Sequence, residues 1–359
     1  MNIFNPEHDL CMANGDANFV PPASALEFGN DCAGLTEWIE ASSDNEVIPW
    51  GWDAVLKRRL RKSGIREDIL PPDSVIAAIR ELSHRKIALQ GCHFVNDYVH
   101  RDYPQFDCFL RDADDVKELY DISGVIGAVN IYGDAVLKAP WSGSGKGLRW
   151  ARAGELSTND LGWCDNVISK QGSVMAEKRC DIVRDFAMLF RIEESEVVFE
   201  GYSLFFNDNG IYKGNVLASD NFIISELSRY VPEELLWMVR AALAEYLLKT
   251  FVGKYHGFVG VDMFIFRKDG KFCLASCVEI NVRMTMGLLA RRVFDEHLTQ
   301  LLGLANPCQN EDIDGRHVMV VEYFPHRGDL YASMSDVEAC LTSVSAESRY
   351  AVWIKMINI

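Results

Sequence analysis

The chain has 359 residues, 48% of them hydrophobic and 25% charged, the composition of a globular protein long enough for two or three domains. Its formal net charge of −16 excludes a broad nucleic-acid surface, which needs clustered positive charge, but leaves room for a local cationic cleft around an anionic small ligand. No apolar run approaches the roughly 18 residues of a membrane span, and no basic stretch followed by an apolar run marks a secretory signal. The ten cysteines are scattered without a CxxC pair, so they read as reduced thiols rather than a zinc ribbon. A cytoplasmic location is expected, with neither nucleic acid nor membrane as a partner.

The first 110 residues are irregular. A short strand is expected at 2–5, long loops through the Asn-, Asp-, Gly- and Pro-rich stretch 6–30, and a second strand at 47–50. Helical spacing runs over 53–63 and 73–83, each opened by an aspartate, and a shorter helix is expected at 112–122. From about 134 the pattern changes. A strand at 135–139 runs into a Gly/Ser loop. Strands follow at 174–178 and 184–192, then at 197–206 and 210–217, the last two joined by Asn207-Asp208-Asn209-Gly210 as a hairpin. A long amphipathic helix covers 232–251 with Pro232 in its first turn. Strands 259–266 and 271–281 form a second hairpin across Lys268-Asp269-Gly270. Residues 286–302 are helical, and two late strands at 318–323 and 351–357 flank a short helix near 335–343.

The glycine loop carries the first chemistry. In Ser142-Gly143-Ser144-Gly145-Lys146-Gly147 the glycines permit a sharp turn that points backbone N–H groups at phosphates. It is not a P-loop, since Pro140 and Gly147 break that motif twice, and neither a kinase signature nor a G-x-G-x-x-G is present. Alone it reads equally as a surface turn. Lys138 favours the phosphate reading, because it is a charge at the end of an apolar strand just ahead of the loop. The strand ending in Glu177-Lys178 offers backbone groups at a strand edge to an adenine, and Asp185 offers a carboxylate to ribose hydroxyls. Alone, a solvated strand end is the plainer reading there.

The 259–281 hairpin is sharper. Alternation puts Val259, Val261, Met263 and Ile265 on one face and Asp262 on the other. On the returning strand Leu274, Ser276, Val278 and Ile280 share a face, with Cys277, Glu279 and Asn281 opposite. A two-residue turn at Asp269-Gly270 places Asp262 opposite Cys277 and diagonal to Glu279, about 7–8 Å apart at Cα. Two carboxylates and an amide oxygen in such apolar surroundings suit Mg²⁺, the alternative being an exposed polar face. Arg283, on the same parity, is placed to neutralise a phosphoryl group or an acyl phosphate. Lys213 is a weaker candidate for that work, and a surface lysine is its plainer reading. Asn5-Pro6-Glu7-His8-Asp9 reads as a capped turn or as the lining of a substrate pocket.

Together these residues resemble the ATP-grasp superfamily over roughly 134–300. Members carry a strand lysine before a mobile glycine loop, as Lys138 stands before Gly143 to Gly147. They carry a Glu-Lys strand at the adenine edge with an acidic ribose ligand seven or eight residues on, as Glu177, Lys178 and Asp185. They carry an acidic residue on one late strand and E-x-N-x-R on the next, as Asp262, Glu279, Asn281 and Arg283. The resemblance implies a mixed α+β, α/β chain with the ATP-grasp fold. Two α+β subdomains would grip ATP, 111–192 with the lid and 193–359 with the metal site, after a reduced N-terminal α/β domain at 1–110. It implies ATP with Mg²⁺ or Mn²⁺, and ligation in which a small-molecule carboxylate becomes an acyl phosphate attacked by an amine or thiol with release of ADP. Arg283 and Lys138 would serve the transfer. Ser142, Gly143, Ser144, Gly145, Lys146, Gly147, Glu177, Lys178, Asp185 and Lys213 would hold the nucleotide. A further upstream phosphate-binding lysine is usual, and Lys86 or Lys117 stands for it. The lid is expected to be mobile without nucleotide. A small-molecule kinase and a non-catalytic nucleotide-binding module are the alternatives.

Overall fold

The computed structural model describes residues 1–40, 42–43, 46–142, 147–208, 211–304, 313–326, 329, 336–345 and 347–357. The N-terminal region holds β1 (Asn2–Ile3), α1 (His8–Asn14), α2 (Ala23–Asp31), β2 (Ile48–Pro49), α3 (Ala54–Lys62), α4 (Asp73–Leu82) and α5 (Arg85–Asp102). Next come β3 (Val116–Leu119), α6 (Ile122–Tyr132), β4 (Asp134–Lys138), β5 (Leu148–Arg152), α7 (Thr158–Gln171) and β6 (Val174–Lys178). The remainder is β7 (Asp181–Ile192), β8 (Val197–Asp208), β9 (Ile211–Leu217), α8 (Asp220–Leu227), α9 (Glu233–Phe251), β10 (Gly257–Lys268), β11 (Lys271–Asn281), α10 (Met286–Arg292), α11 (Leu298–Leu301), β12 (His317–Tyr323), β13 (Val337–Cys340) and β14 (Tyr350–Met356).

Two antiparallel sheets organise these elements. The larger runs β11-β10-β7-β8-β9-β12-β14-β13, and the smaller runs β3-β6-β4-β5. Alternation along the large sheet separates two cores. Phe186, Met188 and Phe190 of β7, with Val261, Met263 and Ile265 of β10, pack against Val95 and Val99 of α5 and Val239, Leu243 and Leu247 of α9. On the opposite face Ala187 and Leu189 meet Phe4, Leu35, Ile48 and Trp50 of the N-terminal region and Leu288 and Leu289 of α10. Each such burial stabilises by roughly 1.5–3 kcal/mol, so the N-terminal region is held as a cover on the large sheet. Val125, Val129, Leu137, Val167 and Val174 form a separate core under the small sheet. Among its described residues the N-terminal region contributes only the parallel pair β1-β2, the reduced sheet that its strand-poor sequence implied.

Several expectations need correction. The stretch 6–30 is not all loop, since it holds α1 and α2. Burial of His8, Cys11 and Met12 supports α1, and Gly15 ends it in the left-handed conformation (φ 77°), so packing rather than propensity makes this helix. Residues 112–122 are not a helix. Asp112 caps a single turn at 113–115 by accepting from the Asp114 N–H, and β3 then pairs with β6. The helix expected near 335–343 is replaced by β13, an edge strand on β14. β7, grouped by sequence with the lid-bearing unit that ended at 192, lies in the large sheet between β10 and β8. Among the described residues no helix is long and apolar enough to cross a membrane.

Candidate active site

β10 and β11 turn on Asp269 (φ 50°) and Gly270 (φ 76°), the two left-handed residues that a tight hairpin requires. The ladder runs from Lys268 opposite Lys271 to Phe264 opposite Ala275, and then slips, so that Asp262 faces Glu279. Ser276, Cys277 and Val278 thus stand against Met263 alone. This corrects the sequence-based register, in which Asp262 faced Cys277 and lay diagonal to Glu279. The bulge also rephases the strand. Cys277 turns into the core against α5, where its sulfur would lie 3.0 Å from a Cβ on Gly91, while Val278 joins Phe264 and Phe266 on the other face.

The slip places Asp262 and Glu279 directly across from one another. Asn281 donates its Nδ2 to Asp262 Oδ2 at 3.0 Å, and its Oδ1 accepts from Arg283 Nη2 at 3.0 Å. Burial, and then the Glu279 charge, push the Asp262 carboxyl up to about 7. Asp185 faces Phe264 on the β7 side of β10, two residues along the ladder from Asp262, and burial raises it to about 6.

Across the cleft, Lys138 ends β4. Its ammonium lies 2.7 Å from Glu177 Oε1, and Arg111 Nη1 donates to Glu177 Oε2 at 3.2 Å. Burial alone would raise Glu177, but the Lys138 and Arg111 charges overcome it and hold the carboxyl down at about 2. Burial lowers the Lys138 pKa, with Glu177 opposing. The strand-edge reading of Glu177-Lys178 needs correction, because β6 is paired on both sides, with β3 and β4, and the Lys178 carbonyl accepts from Arg111 Nη2 at 3.1 Å. The Lys178 side chain is exposed, 3.8 Å from Asp115.

Arg85 joins the two sides. It donates from Nη1 to Glu279 Oε2 at 2.9 Å, from Nε to the Ala139 carbonyl at 3.1 Å and from Nη2 to Ser142 Oγ at 3.2 Å. Arg85 is thus an upstream cation in the cleft that sequence, which offered Lys86 or Lys117, did not single out. The signal was present in the sequence: after His84, which caps α5 by accepting from the Lys86 N–H, the spacing of Ala88, Cys92, Val95 and Val99 puts residue 85 on the buried side. Gly143, Ser144, Gly145 and Lys146 lie outside the described residues. The neck of that loop is described. The Ala139 N–H donates to the Gly147 carbonyl at 2.9 Å, and a Cβ on Gly147 would come within 2.2 Å of Ser142 Cβ, so only glycine fits there.

Arg283 closes the far side of the face that carries Asp262, Glu279 and Asn281. Its Nε and Nη2 donate to Asp9 at 2.8 and 2.7 Å, so Asn5-Pro6-Glu7-His8-Asp9 reaches the cleft. Arg111 is not singled out by the sequence, and Asp9 is marked only within the segment Asn5 to Asp9, since their partners are distant along the chain. Lys213 is exposed on β9 and has no ion-pair partner among the described residues.

The donor set fits a hard divalent cation in kind. It offers two carboxylates, one of them with its pKa raised by burial and then by the charge of the other, and an amide whose oxygen accepts from Arg283. Among the described residues no three His, Cys, Asp or Glu side chains form a group that could hold a metal ion, and a cation at Asp262 and Glu279 would need the Asn281 amide for a third oxygen. Lys138 and Arg85 bring two cations to the same cleft, paired with Glu177 and Glu279.

No family model matches the chain, and no curated protein matches it in sequence. Among solved structures, it is similar to an ADP complex of an N5-carboxyaminoimidazole ribonucleotide synthetase, with a TM-score of 0.50 and 14% identity over 100% of this chain and 92% of that one. It also aligns with the biotin carboxylase domain of a Hydrogenobacter thermophilus 2-oxoglutarate carboxylase, in complex with MgADP, ADP and bicarbonate (TM-score 0.49, 12% identity, 87% and 70% covered). A third alignment is with D-alanyl-alanine synthetase A from Vibrio cholerae (0.41, 14%, 71% and 71%). The fold assignment rests on the first of these. With its two antiparallel sheets and the cleft between them, this chain has the ATP-grasp fold.

Proposed function

We propose that this protein binds ATP with Mg²⁺ and activates a small-molecule carboxylate as an acyl phosphate, which an amine or thiol then attacks. The observation that carries the reading is the convergence of Asp262, Glu279, Asn281 and Arg283 on one sheet face with Arg85 bridging to the Lys138 side. Such a constellation serves phosphoryl transfer, where catalysis is largely positioning and charge neutralisation. Asp262, Glu279 and Asn281 would hold Mg²⁺, which supplies positive charge to the phosphates. Lys138 and Arg85 would bind phosphate oxygens, with the loop 142–147 folding over them. Asp185 would take the ribose hydroxyls.

Arg283 would hold the substrate carboxylate. A carboxylate oxygen forms a bond to the γ-phosphorus, the bond from that phosphorus to the β–γ bridging oxygen breaks, and ADP leaves with the electron pair. The amine or thiol then attacks the acyl carbon, phosphate leaves, and the nucleophile's proton passes to water. The solved structure aligned at a TM-score of 0.50 supports an ATP-grasp scaffold for this chemistry. Hydroxylamine in an ADP-release assay traps an acyl phosphate as a hydroxamate. ADP release without hydroxamate identifies a hydroxyl acceptor, and nucleotide binding without any ADP release identifies a binding module.

A further inference from the structure

Arg283 has four of its five N–H donors engaged. Nε and Nη2 reach the two oxygens of Asp9 at 2.8 and 2.7 Å, Nη2 also reaches Asn281 Oδ1 at 3.0 Å, and Nη1 reaches the Met284 carbonyl at 3.0 Å. Asp9 comes from the other end of the chain, and a buried polar corner aims it. Asn5 donates from Nδ2 to the Gly51 carbonyl at 2.8 Å and accepts from the Gly51 N–H at 3.3 Å. The His8 ring lies flat on Gly51, where a Cβ would come within 2.7 Å of Nδ1. The Met284 N–H donates to the Trp50 carbonyl at 2.9 Å, so the strand end carrying Arg283 docks on the same corner.

This pair is not needed to hold the N-terminal region in place. The Trp50–Met284 bond and the packing of Phe4, Leu35 and Trp50 against Leu288 and Leu289 already do so. Asp9 and Arg283 instead remain 24% and 16% exposed, beside the Asn281–Asp262 bond where the transferred phosphoryl group would sit. A bidentate arginine–carboxylate pair at the reacting end of a cleft marks where an outside carboxylate can exchange for the inside one. Charge balance then selects the substrate. A simple carboxylate on Arg283 would leave Asp9 as a half-buried anion without its partner, which is strongly unfavourable. A zwitterion replaces both partners at once.

We propose that Asp9 and Arg283 form the subsite for a free α-amino acid, its carboxylate on the Arg283 guanidinium and its ammonium on the Asp9 carboxylate. This rests on the ligase reading above and names the substrate whose carboxylate is activated. The test uses the intact chain with Mg-ATP and hydroxylamine, and scores ADP release with each proteinogenic α-amino acid. The best substrate is then compared with its deaminated analogue and its carboxamide. At least one amino acid should stimulate release, and both analogues should fall by about tenfold or more in kcat/KM. Asp9→Asn should raise KM for the amino acid by a similar factor while the rise in melting temperature with Mg-ATP persists, a split that a purely structural tie would not produce. A deaminated analogue as good as its parent overturns the proposal without any variant. So does a protein that Mg-ATP stabilises but that no amino acid stimulates. A protein indifferent to Mg-ATP overturns the ligase reading, and the subsite falls with it.

Discussion

Asp262 on β10 stands directly across from Glu279 on β11, because three residues of β11 oppose the single residue Met263. Bulges of this kind re-aim side chains, and here one turns a diagonal pair of carboxylates into a facing pair while sending Cys277 into the core. The facing pair repels when no cation lies between it, and Arg85 relieves Glu279 but not Asp262.

The two carboxylates should therefore respond in opposite ways to neutralisation. Asp262→Asn should stabilise the nucleotide-free protein by about 1 kcal/mol, because it removes a buried charge opposed by Glu279. Glu279→Gln should destabilise it by roughly 1–3 kcal/mol, because buried Arg85 loses its carboxylate. Both should lower ADP release on the order of 100-fold or more, as loss of a cation ligand does. Melting curves with a turnover assay check this, and a stabilising Glu279→Gln would contradict the Arg85 contact.

Lys138→Ala should weaken Mg-ATP binding and should also destabilise the free protein by about 2 kcal/mol. From sequence, this lysine reads as a phosphate contact. In the structure it neutralises Glu177, which is 8% exposed, and Arg111 compensates only in part. Denaturant melts of the nucleotide-free variant check the stability, and wild-type stability would show that Glu177 relies on Arg111 alone.

Gly147→Ala should force the neck of the glycine loop apart, because the new methyl would overlap Ser142 Cβ. The expected cost is roughly 1–3 kcal/mol with weaker nucleotide binding. Combining it with Ser142→Gly removes the obstructing carbon and should restore much of the loss. Melting curves of the single and double variants, with and without Mg-ATP, measure the coupling.

Two carboxyls should leave distinct marks on stability against pH. Glu177 is held at about 2 against an ordinary 4.5, so its contribution is fully present above pH 4.5 and is lost as pH falls towards 2. Asp185 is raised to about 6 from 3.8, so the folded state binds its proton more tightly. Its cost is absent below about pH 4 and grows as pH rises through 6. Asp185→Asn should thus stabilise the protein above pH 6 by about 2 kcal/mol and leave it unchanged below pH 4. Denaturant titrations across that range check the sign.

The parts of the site that sequence made legible are local ones. The strand ending at Lys138, the Asp269-Gly270 turn and the Glu279-x-Asn281-x-Arg283 run depend on alternation and turn chemistry within a few residues. What sequence did not show depends on distant contacts. The bulge opposite Met263 goes with the packing of Cys277 against α5. Arg85 enters the cleft through a helix whose apolar face became visible only once its start at His84 was fixed. Asp9 meets Arg283 across 274 residues, from a stretch whose Asn, Asp and Gly content reads as loop. Lys178 looked like part of a free edge because β3, which covers that edge, read as a helix.

The most direct test of the account is thermal melting of the intact chain with ATP and Mg²⁺ together, with each alone, and with Mg-ATP added to Asp262→Asn. A ligand that binds only the folded state stabilises it by RT ln(1 + [L]/Kd), about 2.7 kcal/mol at 100 times Kd. The account predicts a clear rise in melting temperature with Mg-ATP, a smaller one with ATP in EDTA, and loss of the magnesium-dependent increment in Asp262→Asn. A well-folded protein whose melting temperature does not move with millimolar Mg-ATP would contradict it.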